Sequence, residues 1–304
     1  MTRTIRLFQV DAFTTELLCG NPAGVVLDAD ELTGEQMQAI ARELNTSDTA
    51  FVLRPDAPDH DLRMRFFTPR KESGFVGHAT VATHTVLAAI GRPAAPRQKQ
   101  HSGIVQVQLA EGSPPLVRIA QPPAPLRAAP PAELMQAILA ALGLDAQALD
   151  PQCPVMIAGT TSTRLLLGLR ESAQLARVEP DLGRLGELSA PAGAAGYFLY
   201  TRHSEIAGCD TEARMFCPAL GISEDPVSGN AHGMLGVYLV SQRLLKASSG
   251  RAQFTGAQGH HLQRPGRVQV EVLVDSAAPT GVIIAGQAVI VFETSLRMAG
   301  SSAA

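Results

Sequence analysis

Residues 222–235, ISEDPVSGNAHGML, set two carboxylates, Glu224 and Asp225, beside Pro226. A turn of small residues follows, Val227-Ser228-Gly229-Asn230-Ala231, and opens a run without charge. A helix starting there leaves its first-turn amides unpaired, and a glycine lets a ligand come close to them. Such amides, together with the helix dipole, favour an anion such as a substrate carboxylate. Residues 72–87, ESGFVGHATVATHTVL, repeat the pattern: Glu72 matches Glu224, Gly77 matches Gly229, His78 matches Asn230 and Leu87 matches Leu239. A third group, Asn45-Thr46-Ser47-Asp48-Thr49, holds one carboxylate among small polar residues. A carboxylate kept from water has its pKa raised toward neutrality and then suits proton transfer. On residue types alone the reading of Asp48 as a loop acid is favoured, as is that of His78 as a cap or core residue. In the functional reading His78 binds substrate or passes a proton.

The elements that must position these groups also come in pairs. Arg65-Phe66-Phe67-Thr68-Pro69 precedes the first turn as Arg214-Met215-Phe216-Cys217-Pro218 precedes the second. We read this as an internal duplication. No Asp, Glu, Lys or Arg occurs from Gly74 to Gly91 or from Pro226 to Gln242. A helix without a charged face is buried on most sides, so each copy is expected to wrap a sheet around its helix. If two such lobes face each other, the helix openings meet in one cleft, a common place for small ligands.

Elsewhere the patterns are mostly those of strands: 5–13, 23–29, 49–54, 62–69, 103–110 and 115–120, then short runs in PVMIAGT, TRLLLGLR, GYFLYTR and EARMFCP. Thr33-Gly34-Glu35-Gln36 is a capping box opening a helix to about Leu44, with Met37, Ile40, Ala41 and Leu44 on one face. Residues 132–143 form a second helix closed by Gly143. RVQVEVLV and GVIIAGQAVIVFE read as antiparallel strands. Many strands with few helices make the fold α+β. The Pro- and Ala-rich stretch 121–131 is the linker candidate. It divides an N-terminal lobe, 1–120, joined by a C-terminal strand at about 286–298, from a C-terminal lobe, 121–285.

A net charge of −3 over 304 residues, evenly spread, argues against nucleic acid or a membrane surface as partner. The N-terminus lacks the apolar core of a signal peptide, and no run is long and apolar enough to span a bilayer. Cys19, Cys153, Cys209 and Cys217 form no C-x-x-C pair and have no histidine at metal-ligand spacing. The expected setting is the cytoplasm, and no metal site is expected. His84 and His232 read as hydrogen-bonded core residues, His260-His261 as a solvated pair, Glu72 and Glu224 as structural acids bonded to the turn amides, and Gly256 and Gly259 as turn glycines.

VDAFTTELLCGNPAGVVL, NTSDTAF, RFFTPRKESGFVGHATVATHTVL and EDPVSGNAHGMLGVYL together resemble the phenazine-biosynthesis PhzF family over nearly the whole chain. The resemblance implies a diaminopimelate epimerase-like fold of two pseudo-symmetric lobes. Each would be a curved, mostly antiparallel sheet or barrel around a central apolar helix. It implies a homodimeric isomerase, working without metal or organic cofactor, on a small carboxylate-bearing substrate. The best-known member moves a proton within a dihydro-hydroxyanthranilate ring, with a glutamate in N-x-S-E-T as the shuttle. That position is Asp48 here, one methylene shorter. The family's Gly-His pair falls on Gly77 and His78, its second acid on Asp225, and the serine of its T-G-S-A turn on Asn230. Gly229 belongs to the same turn, and Asn21 lies in its G-N-P-A segment. The catalytic expectation rests on Asp48 and His78, and substrate binding on Asn21, Gly77, Asp225, Gly229 and Asn230. Related epimerases carry two cysteines at the helix openings, where this chain has none. The alternatives are an epimerase or racemase of an amino acid or cyclic acid, and a binding protein without catalysis.

Overall fold

A computed structural model describes residues 2–299. Residues up to 120, with those from 285 on, make one compact unit, and Gln121–Ile284 make another. The first contains β1 (Thr2–Ala12), β2 (Asn21–Val26), α1 (Gly34–Leu44), β3 (Asp48–Leu53), β4 (Leu62–Phe67), β5 (Glu72–Ser73), α2 (Gly77–Ala89), β6 (Arg97–Gln100), β7 (Gly103–Ala110) and β8 (Leu116–Gln121). The second continues with β9 (Leu126–Ala128), α3 (Ala132–Ala141), β10 (Met156–Ala158), β11 (Arg164–Leu169), α4 (Ser172–Arg177), α5 (Leu182–Ala192), β12 (Gly196–Thr201), β13 (Thr211–Cys217), β14 (Ile222–Asp225), α6 (Gly229–Ser241), β15 (Arg251–Gln258), β16 (Gly266–Asp275) and β17 (Ala278–Gly286). The last strand, β18 (Ala288–Ala299), pairs antiparallel with β1.

The two units repeat one strand topology. In the first, β2 runs parallel to β3, β3 antiparallel to β4, β4 antiparallel to β5 and parallel to β6, and β6 antiparallel to β7. In the second, β11, β12, β13, β14, β15 and β16 reproduce that series of pairings in order. Parallel neighbours need a crossover. The crossovers here carry α1 and α2 in the first unit, and α4–α5 and α6 in the second.

The duplication extends to side chains. Arg65 donates two hydrogen bonds to Glu72 at 2.7 and 2.8 Å and lies over the Phe67 ring at 5.1 Å. Arg214 donates two to Glu224 at 2.9 and 2.8 Å and lies over Phe216 at 4.9 Å. Each pair ties the short strand before a helix opening to the strand beside it. Glu72 and Glu224 are structural, as expected, but their partners are these arginines.

The helices α2 and α6 follow from their sequences. Every residue of α2 from Gly77 to Leu87 is buried, which fits a segment without charge. Two of its threonines are accommodated in burial because Thr80 and Thr83 donate their hydroxyls to the carbonyls of Val76 and Ala79 at 2.9 and 2.8 Å. Amphipathic helices cover the outer cores. Met37 and Ile40 of α1 pack with Phe51 and Phe67, and Leu185 and Leu188 of α5 with Leu165, Tyr197 and Phe216. The capping box at Thr33 is present as read, with both Thr33–Gln36 bonds formed.

Three segments depart from the sequence reading. The Pro- and Ala-rich stretch 121–131 contains β9, which pairs antiparallel with β10. Helices α4 and α5 were not expected, because Gly183, Gly186 and Pro191 lower helix propensity across α5. Asp181 nevertheless caps it by accepting the Arg184 amide at 2.9 Å. Gly256 is no turn glycine: it lies within β15, where a Cβ would stand 2.1 Å from Cδ2 of the buried His232 ring. Among the described residues, no helix is long and apolar enough to cross a membrane.

Candidate active site

In the first unit, the turn after α1 delivers a carboxylate to the mouth of α2. Asn45 ends α1 in the left-handed conformation, φ 50°, a role asparagine tolerates well. The chain then enters β3 at Asp48, whose strand neighbour on β2 is Ala23. Asn21, fully buried at the start of β2, accepts the Ser47 hydroxyl on Oδ1 at 3.0 Å. Gly77 and His78 are the first two residues of α2. The structure therefore brings Asn21, Asp48, Gly77 and His78 to one end of one unit. Asp48 Oδ2 stands 3.8 Å from Nε2 of His78, and both side chains are about nine-tenths buried, 10% and 9% exposed.

That opening has no side-chain cap. Val76 stands at the N-cap and has no polar side-chain atom, and the first helical bond runs from the Thr80 amide to the Val76 carbonyl. The amides of Gly77, His78 and Ala79 thus precede the helical ladder.

In the second unit, Asp225 ends β14, and Gly229 and Asn230 are the first two residues of α6. Asn230 occupies the same helical position as His78. Here the N-cap is Ser228, whose hydroxyl accepts the Ala231 amide at 3.3 Å. The ladder begins with His232 donating its amide to the Ser228 carbonyl, so Gly229 and Asn230 precede it. Gln258 accepts the Ser228 amide at 3.0 Å and donates to the Asp225 carbonyl at 2.7 Å. Nothing in the sequence pattern singles out this residue, since a lone glutamine carries no motif. Ser47 was likewise passed over as one member of a polar turn.

The histidines divide by environment. His84 bonds to Gln98 at 2.9 Å, and His232 Nδ1 meets the Ser228 carbonyl at 2.9 Å, so both are the core residues their surroundings suggested. His260 and His261 are exposed. Burial pushes His78 down to about 3 and His84 and His232 down to about 4. His78 is therefore neutral at physiological pH, and its 3.8 Å approach to Asp48 is not an ion pair. Its Nε2 is buried with no hydrogen-bond partner among the described residues, an expensive condition that a bound polar ligand would relieve.

These depressed values carry a stability prediction. All three histidines bind protons more readily unfolded, near pH 6.5, than folded. Their contribution is complete above pH 6.5 and declines as pH falls toward 4, by up to about 1.4 kcal/mol per pH unit for each. Carboxylates held low by ion pairs, such as Asp61 beside Arg97, keep their full contribution down to about pH 4 and lose it only below that. Urea titrations should show unfolding free energy dropping between pH 6.5 and 5. A flat profile there would contradict burial of three neutral histidines.

Neither helix opening holds a thiol. Cys217 ends β13, and burial pushes its pKa up to about 11, so it is a protonated core residue. Cys153 is also buried, with its pKa raised by burial.

Comparison with known proteins was made on sequence and on fold. The family described as phenazine biosynthesis-like protein, PhzC-PhzF, matches residues 10–294. An uncharacterized isomerase of Clostridium acetobutylicum is 36% identical over 299 residues, covering 97% of this chain and 99% of its own. The trans-2,3-dihydro-3-hydroxyanthranilate isomerase of Pseudomonas aeruginosa is 34% identical over 275 residues, covering 86% and 88%. The crystal structure of a PhzF-family phenazine biosynthesis protein from Bacillus anthracis superposes with a TM-score of 0.86 at 28% identity, covering 97% of this chain and 99% of that one.

Proposed function

We propose, from the premise that this chain belongs to the phenazine biosynthesis-like (PhzC-PhzF) family of isomerases, that it moves a proton within a small carboxylate-bearing molecule with Asp48 as the acid/base. The observation that carries this reading is the buried approach of Asp48 Oδ2 to the unpartnered Nε2 of neutral His78, 3.8 Å apart, at an uncapped helix start.

In this scheme the Asp48 carboxylate takes a proton from a carbon beside an activating group. The electron pair left behind spreads into the adjoining π-system. The protonated Asp48 then returns a proton to a second carbon, so the product is an isomer and the carboxylate is regenerated. Nothing is oxidised or reduced, and no cofactor enters the scheme. His78, as a neutral hydrogen-bonding group, steadies the developing negative charge, and the amides of Gly77, Gly229 and Asn230 bind the substrate carboxylate. Asn21 and Asp225 are assigned to its remaining polar groups. A homodimer in the cytoplasm belongs to the same proposal.

The Pseudomonas relative is named for a dihydro-hydroxyanthranilate substrate, and that molecule is the first to try. The test is incubation in D₂O with this compound and a panel of cyclic and amino acids, followed by NMR and chiral analysis. A shifted double bond with deuterium in the product is the expected result. Loss of chirality without a shift would point to an epimerase. No deuterium uptake from any of them would contradict the proposal.

A further inference from the structure

We infer that Gln258 is a positioning residue that clamps the turn at the mouth of α6 and so holds the Gly229 and Asn230 amides ready for a substrate carboxylate. The inference rests on the functional reading above only for what those amides bind; the clamp itself rests on geometry within one unit.

Three residues, Pro226 to Ser228, link β14 to α6. A short link of this kind reaches a fixed shape only if its polar backbone groups are held. Gln258 holds both ends: its Oε1 accepts the Ser228 amide at 3.0 Å, and its Nε2 donates to the Asp225 carbonyl at 2.7 Å. One carboxamide thus fixes the residue before the turn and the residue that caps the helix. Ser228 in turn spends its hydroxyl on the Ala231 amide, so its own amide is free to meet Gln258 without loss of the cap.

The clamp is itself rigidly mounted. Gln258 is buried at the end of β15, beside Ala213 on the parallel strand β13. The next residue, Gly259, has φ 90° and passes so close to the turn that a Cβ would stand 2.8 Å from the Pro226 carbonyl and 2.2 Å from that of Arg264. Two consecutive residues therefore press on the same turn, and neither has an equivalent substitute: an amide is needed to accept and donate at once, and only glycine fits the second position.

The first unit lacks this device. The strand pairing places Gln100, at the end of β6, where Gln258 stands at the end of β15. Yet Gln100 accepts from Gln98 at 2.9 Å and donates to Ser102 at 2.9 Å, neither of them in the turn before α2. The α6 opening is accordingly pre-set by a side chain, whereas the α2 opening has neither clamp nor cap.

Two variants test this, Gln258→Met, which removes both bonds at nearly constant volume, and Gln258→Glu, which keeps an acceptor but loses the donor when ionised. Amide hydrogen exchange by NMR should accelerate at least tenfold at Ser228, whose amide Gln258 accepts, in Gln258→Met, with Thr80, the first bonded amide of the α2 opening, unchanged. With trans-2,3-dihydro-3-hydroxyanthranilate as probe, KM should rise at least tenfold while kcat changes less than threefold, the sign of lost ground-state binding. Gln258→Glu should recover KM as pH is lowered and its carboxyl regains a proton, a rescue that a simple packing role would not give. Unchanged protection at the α6 opening in Gln258→Met overturns the clamp, as does equal acceleration at both helix openings. The exchange arm needs no substrate. It therefore decides the clamp even if the wild-type protein ignores the probe, a result that would count against the functional reading alone.

Discussion

Asp48→Asn is expected to lower kcat by about 10³-fold, within the range attributed to a positioned general acid or base, while the protein stays folded. Asparagine has the shape of aspartate, so the packing of the buried side chain is retained, and the Ser47–Asn21 bond beside it is untouched. What is lost is the ability to take a proton. Because the substrate's carboxylate is assigned to the helix amides, KM should move little. A variant that raised KM and left kcat alone would make Asp48 a binding residue instead. Asp48→Glu is the informative companion. It restores the glutamate found at this position in the family's usual motif, but in a site whose His78 stands 3.8 Å from the shorter side chain. One extra methylene moves the carboxylate by about 1 Å or more, and misplacement of that order costs on the order of 10²-fold in rate. Steady-state kinetics on the three proteins should therefore rank wild type first, Asp48→Glu second and Asp48→Asn last.

Glu224→Gln should destabilise the fold by about 3–5 kcal/mol, whereas Glu72→Gln should cost about 0–1 kcal/mol. The two glutamates make the same bidentate contact with an arginine, and exposure separates them. The Arg214–Glu224 side chains are 9% and 12% exposed, the Arg65–Glu72 side chains 37% and 42%. Removing one partner of a buried pair strands the other charge away from water, while water screens the half-exposed pair. Arg214 also donates to the carbonyls of Leu175 and Val178 at 2.9 and 2.8 Å. Replacing both partners, as Arg214→Met with Glu224→Leu, would thus leave those carbonyls without their donor and recover only part of the loss. Urea denaturation of the single variants measures the contrast, and equal costs at the two sites would contradict this account.

The strongest features of the fold were legible because they repeat. Uncharged helices, matched Gly turns and paired Arg-x-Phe strands occur twice, and each copy supports the reading of the other. The capping box at Thr33 was equally plain, since its two bonds depend on residues three apart. What escaped notice depends on distant contacts. Helix α5 hides behind Pro191 and two glycines, and packing supplies what local propensity lacks. β15 is missing from the strands read from sequence because Gly256 passes for a turn glycine, although the His232 ring pressed against it explains the missing side chain. At the site, Asp48, His78 and Asn21 could be named from motifs, and they lie together in the first unit. Ser47 and Gln258 could not, since their meaning lies in hydrogen-bond partners 26 residues away for the first and 30 and 33 for the second. Glu72 and Glu224 were read as structural, but a sequence does not tell an acid bonded to amides from one bonded to an arginine on the neighbouring strand.

The central claim is that Asp48 carries the proton, and deuterium uptake measures this most directly. Wild type and Asp48→Asn would be incubated in D₂O with a substrate found in the screen, at concentrations that saturate both, and followed by NMR. The account predicts deuterium at the reprotonated carbon of the wild-type product and exchange about 10³-fold slower for Asp48→Asn. Exchange by Asp48→Asn at the wild-type rate would contradict it.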